Sequence, residues 1–183
     1  KQPRLDDKAI TSWNGLMIRG LADAGRLLDE PQYIDAAARA ANFVLDNLRT
    51  PEGRLQRTWR DGTAKLNAYL DDYAFLVDGL IALHQATGDQ KWLTLAEELT
   101  QTQIALFSDE RFGGFYFTSN DHETLLARSK DPVDSALPSG NAMAAANLAY
   151  LARVLGDDEY RKRSNRTIAA FQSLMDASPT LFP

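Results

Sequence analysis

Three stretches of the chain carry one pattern of apolar and polar positions. They run Ser12–Leu48, Asp71–Phe107 and Ser139–Met175, and no gap is needed inside any copy. The first half of each copy is apolar or small nearly all round. Residues 142–149, for example, read Ala-Met-Ala-Ala-Ala-Asn-Leu-Ala. A helix with that composition is buried on most sides. The second half is amphipathic. Ile34, Ala37, Ala38, Ala41, Val44, Leu45 and Leu48 form one stripe, while Asp35, Arg39 and Asp46 point away. Each copy therefore predicts a helical hairpin, with a first helix of about 16 residues and a second of about 18. Asp29-Glu30-Pro31, Gly88-Asp89 and Gly156-Asp157 supply the stop and restart signals between them.

Equivalent positions agree in chemistry. Ser12, Asp71 and Ser139 open the three copies as helix N-cap residues. Leu21, Leu80 and Leu148 coincide, as do Tyr33, Trp92 and Tyr160. An inner layer of apolar helices covered by an outer amphipathic layer follows, which is the plan of a helical toroid or an α-solenoid. The expected fold class is all-α. The chain reads as one partial ring over residues 1–183, built of hairpins 12–48, 71–107 and 139–175. The connections at 50–70 and 108–138 are long and contain short alternating runs. Asp61-Gly62 between Leu55–Trp59 and Thr63–Lys65 predicts a small β-hairpin. Phe115–Thr118 and Leu125–Arg128 around Asn120-Asp121-His122 predict a second. Both connections lead into an inner helix, so both sit on one face of the array.

Composition narrows the chemistry. The chain has 183 residues, no cysteine and only two histidines, His84 and His122. This excludes a thiol nucleophile, a disulfide scaffold and cysteine-based metal sites within the chain, and neither a metal nor a cofactor is expected. A net charge of -5 argues against nucleic acid as partner. No apolar run is long enough for a membrane span. No leader sequence is read, and a cytoplasmic location is expected. The chain starts at Lys1, and its three hairpins are about half of a ring of roughly 360 residues, so a piece of a longer protein is expected.

Candidate chemistry gathers at the inner-helix N-termini. There Trp13, Asn14, Asp72, Tyr73 and Asn141 occupy repeat-equivalent rim positions beside the aromatic loops. Asp72 is the catalytic carboxylate candidate; its structural alternative is a first-turn residue that complements the helix dipole. Asp71 reads as an N-cap. Neighbouring helical side chains diverge, so the two cannot face one substrate atom. His122 at its hairpin tip suits a general base, because imidazole titrates near neutrality; the alternative is a solvated turn. Trp59 and Tyr116 are candidate platforms for the apolar face of a sugar, and as structure they anchor long loops. Arg57, Arg60, Arg128 and Lys130 are either anion binders or surface charge. Asn14, Trp13, Tyr73 and Asn141 complete the substrate-binding candidates.

The strings Asp6–Ala22, Ala68–Asp89 and Gly113–Ala142 resemble the C-terminal region of the YyaL-type family, which includes the spermatogenesis-associated thioredoxin-domain proteins. The resemblance implies an (α/α) toroid of the six-hairpin glycosidase type, similar to those of the sugar 2-epimerases. It also implies a thioredoxin-like domain in the parent protein, outside this cysteine-free chain. By analogy it suggests a sugar or sugar-like ligand and either glycoside hydrolysis or sugar epimerisation. The competing expectation is a non-catalytic helical-repeat scaffold. Three hairpins leave open edges, so the piece is expected to self-associate or to pack on the missing half of the ring.

Overall fold

The computed structural model describes residues 6–122 and 127–181. A short strand β1 (Ala9–Ile10) leads into α1 (Thr11–Leu28) and α2 (Pro31–Asn47). Strands β2 (Gln56–Arg60) and β3 (Thr63–Asn67) precede α3 (Leu70–Thr87) and α4 (Gln90–Phe107). A long connection reaches α5 (Gly140–Leu155), then α6 (Asp158–Ala169), α7 (Gln172–Ala177) and a 3-10 turn at Pro179–Leu181. The three hairpins are thus present as the pattern predicted. Asp29, Gly88 and Gly156 each end an inner helix in the left-handed conformation.

Helix α3 is the centre of the inner layer. Tyr73 through Val77, Leu80, Ala82 and Leu83 are fully buried, with α1, α4 and α5 packed around them. The all-round apolar character of this segment has that cause. Contact between α1 and α3 is closer than ordinary side chains permit. A Cβ at Gly15 would lie 2.5 Å from the Phe75 carbonyl carbon, and one at Gly79 would lie 2.8 Å from the Gly15 oxygen. On the other side, Asn147 Nδ2 donates to the Ala74 carbonyl at 2.8 Å. The outer helices present the amphipathic stripe: Ala37, Ala41 and Val44 of α2 are buried, and Trp92, Ala96, Leu99 and Phe107 do the same in α4.

The sheet is antiparallel in the order β1-β2-β3, with Ala9 opposite Trp59 and Arg60 opposite Thr63. Asp61 and Gly62 both have positive φ, the two-residue turn that matches strand twist. This hairpin is as the sequence predicts. The second predicted hairpin, Phe115–Thr118 with Leu125–Arg128, lies partly outside the described residues. Phe115–Thr118 form no strand, and residues 123–126 lie outside the described residues. Backbone bonds from Tyr116 N–H to the Phe107 carbonyl and from Phe117 N–H to the Ser129 carbonyl, with polar knots around them, hold this connection. Asp109 accepts from the N–H groups of Arg111 and Phe112, from Tyr116 Oη at 2.8 Å, and from Lys130 Nζ at 2.7 Å. Arg128 donates to the carbonyls of Thr118 and Leu106.

Two helix starts also differ from expectation. Ser139 caps α5 as predicted, its hydroxyl accepting from Ala142 N–H. Helices α1 and α3 begin at Thr11 and Leu70, so Ser12 and Asp71 lie inside the first turn. The outer helix of the third hairpin is broken at Ala170–Phe171, where Gly113 of the long connection lies against the Arg166 carbonyl. No helix of the described residues is long and apolar enough to cross a membrane.

The α1–α3 contact generates a prediction. Gly15→Ala replaces a poor helix former by the best one, a gain of about 1 kcal/mol, but forces a methyl into backbone atoms. The clash wins, and chemical denaturation will show a net loss of about 1–3 kcal/mol.

Candidate functional site

The rim is built on one carboxylate. Asp72 stands at the third position of α3, and its side chain is wholly buried. Oδ2 accepts from Tyr69 N–H at 2.9 Å, satisfying a free donor at the start of its own helix. Oδ1 accepts from Ser12 N–H at 2.9 Å, doing the same for α1. Arg57 Nη1 of β2 reaches Oδ2 at 3.1 Å. Two inner helices and the sheet meet at this group. Burial pushes the Asp72 carboxyl up, against the opposing pull of Tyr69 N–H, the Arg57 guanidinium and Ser12 N–H.

Arg57 also lies 4.9 Å over the Tyr69 ring. Tyr69 stacks on Phe117 at 4.9 Å and on His122 at 5.7 Å. His122 Nδ1 is buried without a hydrogen-bond partner among the described residues. The next loop residues are clamped: Arg54 Nη2 donates to Asp121 Oδ1 at 2.8 Å and to Ser119 Oγ at 2.9 Å. That hydrogen bonding holds the Asp121 carboxyl at about 2.

Asp71 is different from its neighbour. It is half-buried, and no hydrogen bond holds its carboxylate among the described residues. It lies against the N-terminus of α5, so close that a Cβ on Gly140 would collide with Oδ1. Burial first, then the charge of Asp72, push its carboxyl up to about 6; Arg57 opposes this and Asp131 adds to it. Asp131 belongs to the loop before α5. Its carbonyl accepts from Ser139 Oγ at 3.0 Å and Asn141 Nδ2 at 3.3 Å. A carboxyl poised near neutrality at the meeting point of two helix starts is suited to proton transfer.

The structure therefore brings Asp72 and His122 into one cluster through Arg57 and Tyr69, and gathers Asp71 and Asp131 beside them. It does not bring all the sequence candidates there. Tyr73 is fully buried, and its Oη accepts from Leu55 N–H at 2.9 Å; it faces the core, not the rim. Asn141 is buried too, bonded to both N–H and C=O of Phe115, so it ties loop to helix. Asn14 donates to the Ile10 carbonyl at 2.9 Å. Trp59 meets Phe43 edge-on at 5.2 Å. Tyr116 spends its hydroxyl on Asp109 and its ring face on Arg128, 4.1 Å away. Trp13 is 60% exposed on the outer edge of α1. Asp71, the residue read from sequence as a cap, is the freer carboxylate. The missed signal is the three-residue step from Tyr69 to Asp72, the spacing of a capping box.

Two outcomes follow. Asp72→Ala leaves two helix-start N–H groups and Arg57 without their acceptor, and thermal or chemical unfolding will show a loss of about 3 kcal/mol or more. Asp71 has the opposite sign. Its folded value lies above its unfolded one, so the folded state binds the extra proton between about 4 and 6. Its ionisation therefore costs stability as pH rises through that window. Asp71→Asn will raise Tm above that of the native chain at pH 8 and leave it unchanged near pH 4, as read by circular dichroism.

Comparison with known proteins agrees with this architecture. The family model described as Beta-L-arabinofuranosidase, GH127 catalytic domain, matches residues 11–167. Human Spermatogenesis-associated protein 20 is 33% identical over 192 residues, covering 100% of this chain and 24% of that protein. The mouse protein of that name is 34% identical over 189 residues, covering 98% and 24%. The chain thus spans about a quarter of the length of the curated relatives it matches. The resemblance to the spermatogenesis-associated proteins holds along the whole chain. A cellobiose 2-epimerase from Spirochaeta thermophila superposes with a TM-score of 0.73 at 22% identity, over 90% of this chain and 43% of that one. A sugar epimerase from a ruminal bacterium gives 0.75 at 12% identity, over 92% and 46%. A GH76 alpha-mannanase from Bacteroides thetaiotaomicron gives 0.74 at 15% identity, over 94% and 45%. These likenesses establish the fold as that of the six-hairpin (α/α) toroids. With its matched span running from the start of α1 into α6, the chain belongs to the family of the beta-L-arabinofuranosidase GH127 catalytic domain.

Proposed function

We propose that this chain forms part of a carbohydrate-processing site at the inner-helix rim, with Asp71 as the proton-transfer group and a glycosidic bond as its target. The observation that carries this reading is the Asp71 carboxyl, half-buried against the start of α5, pushed up to about 6 and not tied by hydrogen bonds among the described residues. A group of that kind holds a proton near neutrality and delivers it to a leaving-group oxygen. Membership of a family described by a glycosidase supplies the reaction class. Asp131, whose charge acts on Asp71, is the second carboxylate, and hydrolysis with an acid and a partner carboxylate needs such a pair. Asn141 and Ser139 hold the Asp131 backbone, so their role is positioning. Asp72 and Arg57 fix the helix that carries Asp71. Tyr69, Phe117 and His122 form the aromatic wall beside it.

Hydrolysis of 4-nitrophenyl β-L-arabinofuranoside tests the reading. Asp71→Asn is expected to lower kcat by about 10²–10⁴ with little change in KM. The native rate is expected to fall as pH rises through about 6, as an acid with that value requires. Asp131→Asn is expected to lower kcat as well. Sugar epimerisation is the other outcome of the same proton transfer, and NMR of a reducing disaccharide incubated with the protein identifies it. Saturation-transfer NMR showing no binding across arabinose, mannose and cellobiose overturns the reading.

A further inference from the structure

Across from Asp71 stands a glycine. Gly140 lies in the first turn of α5 and is buried. Its backbone does not require glycine, because its φ lies outside the left-handed region. Helix propensity does not favour it either, since alanine is the better residue. The surroundings supply the reason. A Cβ at Gly140 would collide with Asp71 Oδ1, while the next nearest atoms, Leu70 Cδ2 and Cγ, would stand at 3.2 Å. The Asp71 carboxylate holds the space that a side chain at 140 would take.

Gly140 differs in this from the other tightly placed glycines. At Gly15, Gly79 and Gly113 the nearest obstacle is a backbone atom of a neighbouring helix, so those glycines let two backbones approach. At Gly140 the nearest obstacle is the free end of a side chain, which can rotate. A methyl at 140 therefore displaces the carboxylate before it displaces the helix.

The repeat sharpens the contrast. Ser12, Asp71 and Ser139 are equivalent, so Asp72 and Gly140 are equivalent too. At each junction the second residue of one copy faces the first residue of the copy before. Between α1 and α3 that second residue is Asp72, whose carboxylate accepts from Ser12 N–H. Between α3 and α5 it is Gly140, which faces the Asp71 carboxylate. The register is the same, but at position 140 there is no side chain to form a bond.

We propose that Gly140 is the positioning residue for Asp71: the missing side chain leaves a recess in the first turn of α5 that fits the carboxylate and offers it no hydrogen bond. This rests on the reading of Asp71 as the proton-transfer group. Such a group must be held in place and still keep its proton until the leaving-group oxygen arrives. A donor side chain at 140 would hold the carboxyl but favour its ionised form. A fitted recess holds it by shape alone. The charged groups around Asp71 are Asp72 of α3, Arg57 of β2 and Asp131 of the connection before α5; burial outweighs them, and packing against α5 is part of that burial.

Carboxyl-carbon NMR titration of Asp71 in the native chain and in Gly140→Ala tests this, whether or not any sugar is cleaved. The methyl turns the carboxylate out of the recess toward water. Its value is expected to fall from about 6 toward the ordinary carboxylate value of about 4. In the hydrolysis assay kcat is expected to fall about tenfold or more with KM little changed, and the decline in rate with rising pH is expected to begin at lower pH. Stability separates the fit to Asp71 from general packing. At about pH 5, where Asp71 is protonated, Gly140→Ala alone is expected to lower Tm, and the same change made beside Asp71→Ala is expected to cause no loss, since the methyl then has room. An Asp71 value unmoved by Gly140→Ala, or an equal loss of Tm in both backgrounds, would overturn the proposal. A chain in which Asp71 shifts as described but no glycoside is cleaved keeps the fit of Gly140 to Asp71 and overturns only the catalytic reading.

Discussion

The Asp72 carboxylate is the point on which the rim depends. A helix start leaves free N–H groups, and two such starts brought side by side double the demand for acceptors. Asp72 answers both at once, through Ser12 N–H of α1 and Tyr69 N–H of α3. Its remaining interaction, with Arg57, brings the β-hairpin down onto the same spot. An ion pair this deep is a poor source of stability by itself, because desolvation offsets attraction. Its value is positional. Removing either partner leaves the other stranded, so the helices, the sheet and the Tyr69 ring are held in one arrangement.

Below the rim, the inner wall relies on small residues. Gly15 and Gly79 let α1 and α3 approach at backbone distance, and Asn147 fastens α5 to α3 through a carbonyl. Apolar burial drives the assembly, but it does not specify a register. The glycines help to set it, because in this alignment each lies where a Cβ would run into the other helix. The outer helices need no such device. Their alanine and leucine stripes cover the inner layer and leave polar faces to water, as the amphipathic pattern requires. The long connections end on the rim side; the first is braced by the β2–β3 ladder, and polar knots around Asp109 and between Arg54 and Asp121 hold the second.

The three hairpins, their turns and the Asp61-Gly62 strand turn were legible in the sequence because each depends on local periodicity or local backbone chemistry. The failures have one physical source. Phe115–Thr118 alternates like a strand but forms none, and the side chains of Asp109 and Arg128 bond around it. Tyr73 and Asn141 sit at rim positions of the repeat, yet each has a buried partner waiting, Leu55 N–H for one and the Phe115 backbone for the other. Repeat equivalence fixes where a residue stands along a helix. It does not fix which way the side chain is needed.

The adjacent aspartates show where that boundary falls. The sequence by itself determined that two carboxylates stand at the first turn of α3 and that they diverge, because successive helical positions are about 100° apart. It also determined the inner and outer layers, since 3.6-residue periodicity is a property of the chain alone. Only the tertiary structure decided that Asp72 turns inward to serve Ser12 and Arg57 while Asp71 lies half-buried against α5 and is pushed up to about 6. That choice is made by donors 60 and 15 residues away in sequence, which no local pattern contains.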